Sequence, residues 1–295
     1  MSVGDGLLLV DKPGGITSHT VVSRARRATG TKKIGHAGTL DPMATGLLVL
    51  GVNRATRLLT YLVGADKVYQ ATIRLGQATV TDDAQGELTS VPGATGIDEQ
   101  QVRAAVAQFT GRIEQVPSAV SAIKVDGKRA YARVRAGEDV QLKARPVTIY
   151  RCDVLAAQAG SAADGTAVLD VDVEVACSSG TYIRALARDL GSALQSAGHL
   201  RALRRSRVGD FDVSEASPVD GLEQVKLLDV SAVARRVFTG RELSTAEATE
   251  LRYGRRIAAS GTEGVVATFD PAGQVVALVS DQGGHARPVL VLDPA

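Results

Sequence analysis

The residues with the clearest chemical potential lie in the stretch 35–51, which reads GHAGTLDPMATGLLVLG. Three glycines fall within twelve residues and flank the pair Asp41-Pro42. Glycines at this density predict a tight loop whose backbone can approach a ligand closely before the chain enters a core strand. Asp41 would place a carboxyl group in this loop.

Taken singly, the same side chains also have ordinary structural explanations. Asp41 could cap a short helical turn in which Pro42 occupies the first position. Tyr69 could be a core residue of a strand, and Arg184 a charge on a helix surface. His36 and Lys12 could be a loop histidine and a solvated turn residue. The types of these residues therefore allow either a catalytic or a structural role for each of them.

The bulk composition is that of an ordinary globular protein, with 44% hydrophobic and 22% charged residues in 295. No apolar run is long enough for a membrane span, and the N-terminus does not resemble a secretory signal, so a cytoplasmic location is expected. Cys152 and Cys177 have no further cysteine or histidine at metal-ligand spacing, which favours two buried thiols.

Positive charge is concentrated in three segments although the net charge is only +2. Lys and Arg outnumber Asp and Glu by eight to three in residues 1–60, by seven to three in 117–145 and by six to one in 184–207. Such clusters bind phosphate backbones, although a solvated helix face has the same composition. The low aromatic content, 3% with no Trp, argues against a surface that stacks several bases.

Helix signals and strand alternation indicate an α+β domain. Helices are predicted from Thr17 or Ser18 to Ala28, from Ile97 to Phe109 with Asp98 as N-cap, and from Thr181 to Leu194. Strands are predicted at 47–52, 68–75 and 168–175, and three short ones at 265–269, 275–279 and 289–292. The basic stretch 117–146 has too few apolar residues to fold alone and is interpreted as an insertion.

Four segments in fixed order resemble the TruB family of pseudouridine synthases. They are Asp11-Lys12-Pro13-x-Gly15-x-Thr17-Ser18, GHAGTLDPMATGLL, Lys67-x-Tyr69-x-Ala71 and Ser179-Gly180-Thr181-Tyr182-Ile183-Arg184-x-Leu186. The run Gly-His-x-Gly-Thr-Leu-Asp-Pro alone is highly specific. The resemblance implies a pseudouridine synthase fold with a mixed, largely antiparallel sheet over residues 1–236, an RNA-gripping insertion at about 117–146 and a small β-rich PUA-like domain at 237–295.

The resemblance also implies an isomerase that converts a uridine of the tRNA T-loop, at tRNA position 55, to pseudouridine after base flipping. Asp41 would be the nucleophile, attacking at C6 of the base or C1′ of the ribose. Arg184 would pair with Asp41 and keep it ionised. Tyr69 would stack on the uracil and could accept the C5 proton. Further substrate-binding residues implied in the same way are His36, Lys12, Pro13, Gly38, Thr39, Tyr182, Leu203, Lys124, Lys128 and Arg129.

The implied partner is tRNA, held at its T-loop and acceptor arm, with Arg201, Arg204, Arg205 and Arg207 near the acceptor-arm backbone. No cofactor, metal, guide RNA or obligate protein partner is expected, because the isomerisation is redox-neutral and needs no external group. A competing interpretation is a non-catalytic RNA-binding or tRNA-chaperone protein on the same fold, which could keep the basic patches without the acid.

Overall fold

The computed structural model describes residues 3–118, 124–125, 128–129, 142–224 and 227–295. Within these residues the helices are α1 (Ser18–Thr29), α2 (Leu59–Val63), α3 (Glu99–Ala107), α4 (Ile183–Ala193), α5 (Val230–Val237) and α6 (Thr245–Arg252). A search of these described residues finds no helix with the length and apolarity needed to cross a membrane.

The described residues outside the helices are rich in strands. In chain order these are β1 (Gly6–Lys12), β2 (Ile34–His36), β3 (Thr45–Val52), β4 (Lys67–Leu75), β5 (Ala78–Thr79), β6 (Leu88–Ser90), β7 (Gly111–Gln115), β8 (Lys124–Val125), β9 (Lys128–Arg129), β10 (Arg145–Ser161), β11 (Ala167–Cys177), β12 (Gly198–Val208), β13 (Phe211–Asp212), β14 (Ser217–Pro218), β15 (Leu228–Asp229), β16 (Thr239–Glu242), β17 (Ile257–Ala258), β18 (Val265–Phe269), β19 (Val275–Gln282) and β20 (His285–Val291).

A large mixed sheet carries the fold, in the order β14-β1-β3-β12-β4-β11-β10-β7. β1 with β14 and β3 with β12 run parallel, and the other neighbours along this path are antiparallel. The prediction of a mixed, largely antiparallel sheet in an α+β fold is therefore confirmed. β3 is buried along most of its length because strands lie on both of its sides and residues of both faces pack into the core.

The predicted helices form where their caps indicate. Thr17 accepts a hydrogen bond from the Thr20 backbone N–H at the start of α1, and Gly30 ends it with φ 69°. Asp98 and Gln101 form a reciprocal capping box at α3. Both helices begin and end within two residues of the predicted bounds.

The α4 helix packs against the sheet beside the loop that carries Asp41. Ile183, Leu186 and Leu190 are buried in the main hydrophobic core together with side chains of β4, β11 and β12. This packing brings the first turn of α4 to the end of the sheet where β2 and β3 are connected. Packing of an amphipathic helix thus determines where Arg184 lies.

The C-terminal residues form a second sheet, in the order β16-β18-β19-β20-β17. Its core is shared with the large sheet: one buried cluster contains Leu47, Val49 and Phe211 together with Phe269 and Leu278. Arg54 and Arg57 donate hydrogen bonds to the carbonyls of Leu292 and Val291. The two parts of the chain are therefore joined by a common hydrophobic core.

The basic insertion leaves the sheet between β7 and β10, which pair from Arg145 opposite Gln115. At its start the buried Ser118 donates a hydrogen bond of 2.6 Å to Asp82 Oδ2. Lys124 is paired with Arg129, and Val125 with Lys128, in the two-stranded ladder of β8 and β9. Side chains of these residues, and Tyr131 and Arg133 altogether, lie outside the described residues.

Candidate active site

Asp41 lies in the loop between β2 and β3, at the edge of a cavity of about 310 Å³. The loop forms a turn in which the Ala44 N–H donates to the Asp41 carbonyl, and no helix follows. The capping interpretation of Asp41-Pro42 is therefore wrong. Ser18 holds the preceding residue, since its hydroxyl donates to the Leu40 carbonyl and accepts from the Leu40 N–H.

Arg184 meets Asp41 from the first turn of α4. Its Nε lies 3.0 Å from Asp41 Oδ2, and its side chain is only 7% exposed whereas that of Asp41 is 36% exposed. The guanidinium also donates to the Thr81 carbonyl at 3.0 Å. The interpretation of Arg184 as a surface charge is wrong, and the predicted pairing with Asp41 is present.

A second carboxylate, that of Asp83, contacts the same guanidinium. Asp83 Oδ2 lies 3.5 Å from Arg184 Nη1 and is buried. Its other oxygen accepts hydrogen bonds from the Thr81 hydroxyl and the Gln85 N–H. Sequence reasoning missed this residue because Thr81-Asp82-Asp83 has the composition of a surface turn.

Tyr69 points from β4 into the same cavity. Burial raises the pKa of its phenol above the ordinary value, and the nearby Arg205 guanidinium opposes that rise. The phenol is therefore protonated at neutral pH, which disfavours a free phenolate as the base for the C5 proton. Of the predicted site residues, those that line the cavity are Gly38, Thr39, Asp41, Tyr69, Tyr182, Arg184 and Leu203.

Lys12 supports the loop from behind the cavity, because its side chain is fully buried. Its ammonium donates to the carbonyls of Pro13, Ile16 and Pro42 at 2.9, 2.8 and 3.3 Å. Burial lowers the Lys12 pKa to about 8, although Asp41 acts in the opposite direction. The solvated-turn interpretation is wrong, and neither Lys12 nor Pro13 is among the residues that line the cavity.

His36 ends β2 close to the Asp41 loop and is half-buried. Burial lowers its pKa, and the neighbouring positive charge of Arg205 lowers it further, so the ring is neutral at pH 7. Within the described residues its Nδ1 is buried and has no hydrogen-bond partner. The ring is therefore neutral with a buried nitrogen, and His36 is not among the residues that line the cavity.

The arginines of β12 do not form one surface. Arg205 is 1% exposed, so its expected position on the acceptor-arm backbone is wrong. Arg204 instead forms a bidentate pair with Asp11, and Arg201 pairs with Asp170. Arg207 is exposed.

The described residues contain no group of three or more His, Cys, Asp or Glu side chains that could hold a metal ion. Cys152 and Cys177 are free thiols, the second of them buried. Burial raises the pKa of both, to about 12 and about 11. Neither is therefore a thiolate at neutral pH.

Three family models together match most of the chain. Residues 26–183 match the N-terminal domain of the TruB family of pseudouridylate synthases. Residues 184–237 match the C-terminal domain of tRNA pseudouridylate synthase B, and residues 238–293 match the C-terminal region of tRNA pseudouridine synthase II.

Curated relatives match over almost the full length. The chain is 59% identical to tRNA pseudouridine synthase B of Arthrobacter sp. (strain FB24), over 98% of this chain and 97% of that protein. It is 52% identical to tRNA pseudouridine synthase B of Thermobifida fusca, over 98% and 99% of the two chains.

Solved structures share the fold at lower identity. One is an H/ACA RNP bound to a substrate RNA containing 2′-deoxyuridine, with TM-score 0.72 and 22% identity over 98% of this chain and 85% of that chain. Another is a Cbf5-Nop10-Gar1 complex, with TM-score 0.72 and 24% identity over the same shares of the two chains. At these identities the likeness shows the fold alone.

Proposed function

From the premise that this chain belongs to the TruB family of pseudouridylate synthases, we propose that it converts the uridine at tRNA position 55, in the T-loop, to pseudouridine with Asp41 as the nucleophile. The chain is a tRNA pseudouridine synthase, an isomerase, as its relatives at 50–59% identity are. The position in tRNA and the role of Asp41 are the parts that we add.

The meeting of Asp41, Arg184 and Tyr69 around one cavity is the observation that carries the proposal. The volume of the cavity, about 310 Å³, lies at the small end of the range for small-molecule pockets, which suits one flipped base rather than several. Leu203 and the ring of Tyr69 provide apolar surface for a flat pyrimidine. Base flipping is required because a stacked uridine hides the atoms that must react.

The reaction conserves every atom of the nucleoside except one exchangeable hydrogen. The Asp41 carboxylate attacks C6 of the base or C1′ of the ribose, and the N1–C1′ bond breaks. After the base rotates, C5 bonds to C1′ and the bond to the Asp41 carboxylate breaks, which frees the enzyme. The proton on C5 then leaves, and N1 takes up a proton. Arg184 holds the Asp41 carboxylate in place, since a guanidinium can direct several N–H donors at once.

Tyr69 acts as a protonated phenol in this proposal. Because burial raises its pKa, the phenol keeps its proton, and it can pack against the uracil and donate a hydrogen bond. Another base or water would then remove the C5 proton. His36, neutral and beside the loop, fills the space that the flipped nucleotide vacates or touches its phosphate.

The insertion and the C-terminal sheet are proposed to hold the rest of the tRNA. The insertion would clasp the T-loop through Lys124, Lys128 and Arg129. The C-terminal sheet, which we propose belongs to a PUA-like domain at 237–295, lies next to the exposed Tyr253, and the Arg255 guanidinium lies over the Tyr253 ring. This combination suits a base or ribose of single-stranded RNA.

Release of tritium from tRNA labelled at uridine C5 tests the proposal. The unmodified transcript should release one equivalent of label. A transcript with cytidine at position 55 should release none above background. Release that is independent of position 55 would contradict the T-loop assignment. Binding of tRNA without any release would favour the chaperone interpretation.

A further inference from the structure

Arg205 is a buried charge that the reaction as described above does not use. It is the largest of the fully buried side chains. Among the described residues, none of the salt bridges involves it. Burying a guanidinium without a carboxylate costs several kcal/mol, so an apolar side chain would fill the space with less loss of stability.

The Arg205 guanidinium donates hydrogen bonds to three backbone carbonyls on either side of Asp41 in the sequence. Nη2 donates to the Gly38 carbonyl at 3.1 Å, and Nη1 to the Thr39 carbonyl at 3.4 Å. Nε donates to the Leu47 carbonyl at 2.8 Å, on the strand that follows the loop. The guanidinium thus ties the peptides just before Asp41 to the start of β3.

Gly38 and Gly46 make this arrangement possible. Gly38 has φ 95°, and a Cβ there would lie 3.6 Å from Arg205 Nη1. Gly46 has φ 100° and pairs directly with Arg205, where a Cβ would come within 2.3 Å of the Arg205 carbonyl oxygen. At Gly46 the strands can approach this closely only because a side chain is absent, whereas at Gly38 glycine is favoured by the positive φ, since a Cβ there would make an ordinary contact with Arg205.

Arg205 lies between two strands of the sheet: it is paired with Gly46 of β3 on one side and with Tyr69 of β4 on the other. The Arg205 guanidinium also lies close enough to the Tyr69 phenol for its charge to oppose the rise in the phenol pKa, and both side chains line the cavity. One guanidinium therefore holds the loop of the proposed nucleophile and lies beside the aromatic residue proposed to pack on the base. On the far side of Asp41, the buried Lys12 ammonium holds the Pro42 carbonyl.

We propose that Arg205 is a positioning residue for pseudouridine formation, fixing the Gly38–Thr39 backbone next to Tyr69 so that Asp41 and the uracil meet in one geometry. This inference rests on the proposed function. A displacement of about 1 Å in a reacting group can cost about 100-fold in rate, so a clamp on the loop is worth the cost of burying its charge.

The test compares Arg205→Lys with Arg74→Lys. Arg74 lies on β4, the strand paired with that of Arg205, and is partly buried. Its guanidinium donates to both oxygens of Asp170 at 2.8 and 2.7 Å, so the control loses a bidentate guanidinium that does not line the cavity. Single-turnover tritium release at saturating tRNA, tRNA affinity and thermal unfolding are measured for both. Arg205→Lys should lower the rate constant at least about tenfold and leave the Kd for tRNA within about threefold, whereas Arg74→Lys should leave both unchanged.

Arg205→Gln guards against misfolding, because it removes the buried charge and keeps an N–H donor. A crystal structure of either folded variant should show the 38–41 loop displaced and the Arg184–Asp41 distance lengthened, a readout that needs no activity. A rate equal to that of Arg74→Lys, or an unmoved loop, would overturn the inference. So would loss of the fold in both Arg205 variants, since the arginine would then act through general stability. Absence of tritium release by the wild type would instead count against the proposed function.

Discussion

Arg184 contacts Asp41 from the protein interior. Its Nε lies 3.0 Å from Asp41 Oδ2, and the arginine is buried, whereas the Asp41 carboxylate is partly exposed at the edge of the cavity. The orienting charge is thus shielded from water and the reacting group is accessible to a substrate. Low exposure strengthens the interaction between the two charges, because water screens them less. Burial of Arg184 depends in turn on Asp83, the other carboxylate that contacts it.

Replacing Asp83 by Asn should therefore impair catalysis without impairing binding. Loss of this charge removes one of the carboxylates that contact Arg184 and allows the guanidinium to shift, so we expect the single-turnover rate constant to fall about tenfold or more. Asp270→Asn is the matched control, since Asp270 is also nearly buried and lies 2.7 Å from Arg252 in the C-terminal sheet. An Asp83→Asn rate equal to that of Asp270→Asn would show that Asp83 does not act through Arg184.

Lys67 should make the free energy of unfolding depend on pH. Burial lowers its pKa from 10.5 to about 8, so between these values the unfolded chain holds a proton that the folded chain has released. The folded state is then stabilised as pH rises, by at most about 1.4 kcal/mol per pH unit for one lysine. Urea unfolding between pH 7.5 and 9 should show a smaller rise for Lys67→Met than for the wild type. Lys12, which titrates in the same range, contributes to the rise that remains.

The pH range for that comparison ends at 9 because the cysteines act in the opposite direction. Burial raises their pKa, so above about pH 9 the unfolded chain loses thiol protons that the folded chain keeps. Equal slopes for Lys67→Met and the wild type below pH 9 would contradict the lowered pKa of Lys67.

Phe269→Ala should destabilise the whole chain. Phe269 is fully buried in the core that joins the two sheets, and the Arg235 guanidinium lies 3.8 Å from its ring centroid. Loss of a buried Phe typically costs about 3–5 kcal/mol. Urea unfolding should show one transition in the wild type, shifted as a unit in the variant. Val289→Ala, at an exposed position of the same sheet, should change stability by less than about 0.5 kcal/mol. Two separate transitions, with only one shifted, would contradict a common core.

Charge reversal in the insertion should weaken tRNA binding. Changing Lys124, Lys128 and Arg129 to Glu removes positive charge that would release counterions from phosphates, so the salt dependence of the Kd should become less steep. Filter binding at two salt concentrations measures both effects. Arg103→Glu, on the exposed face of α3, is the control for one charge reversal outside the insertion and is compared with Lys124→Glu alone. Unchanged affinity of the insertion variant at both concentrations would reject the clasp.

Much of the fold could be predicted from local signals. The caps at Thr17, Gly30 and Asp98 mark helix ends because they satisfy backbone groups within a few residues. The strands at 47–52, 68–75 and 265–269 are found because their apolar patterns are long enough to be distinctive.

The buried charges could not be predicted, since their partners are remote in the chain. Arg205 binds carbonyls of residues 38, 39 and 47, which no sequence pattern links to it. β12 also has irregular register near Leu200 and again after Arg205, so simple alternation does not tell which of its arginines points inward. Asp83 was missed for the same reason, because its role becomes visible only when Arg184 is placed beside it.

Single-turnover tritium release by Asp41→Asn tests the central claim most directly. Asn has nearly the same shape but cannot act as a carboxylate nucleophile, so tRNA binding and thermal stability should stay close to those of the wild type. Release of label from uridine C5 should fall to background. Release near the wild-type rate by this variant would contradict Asp41 as the nucleophile.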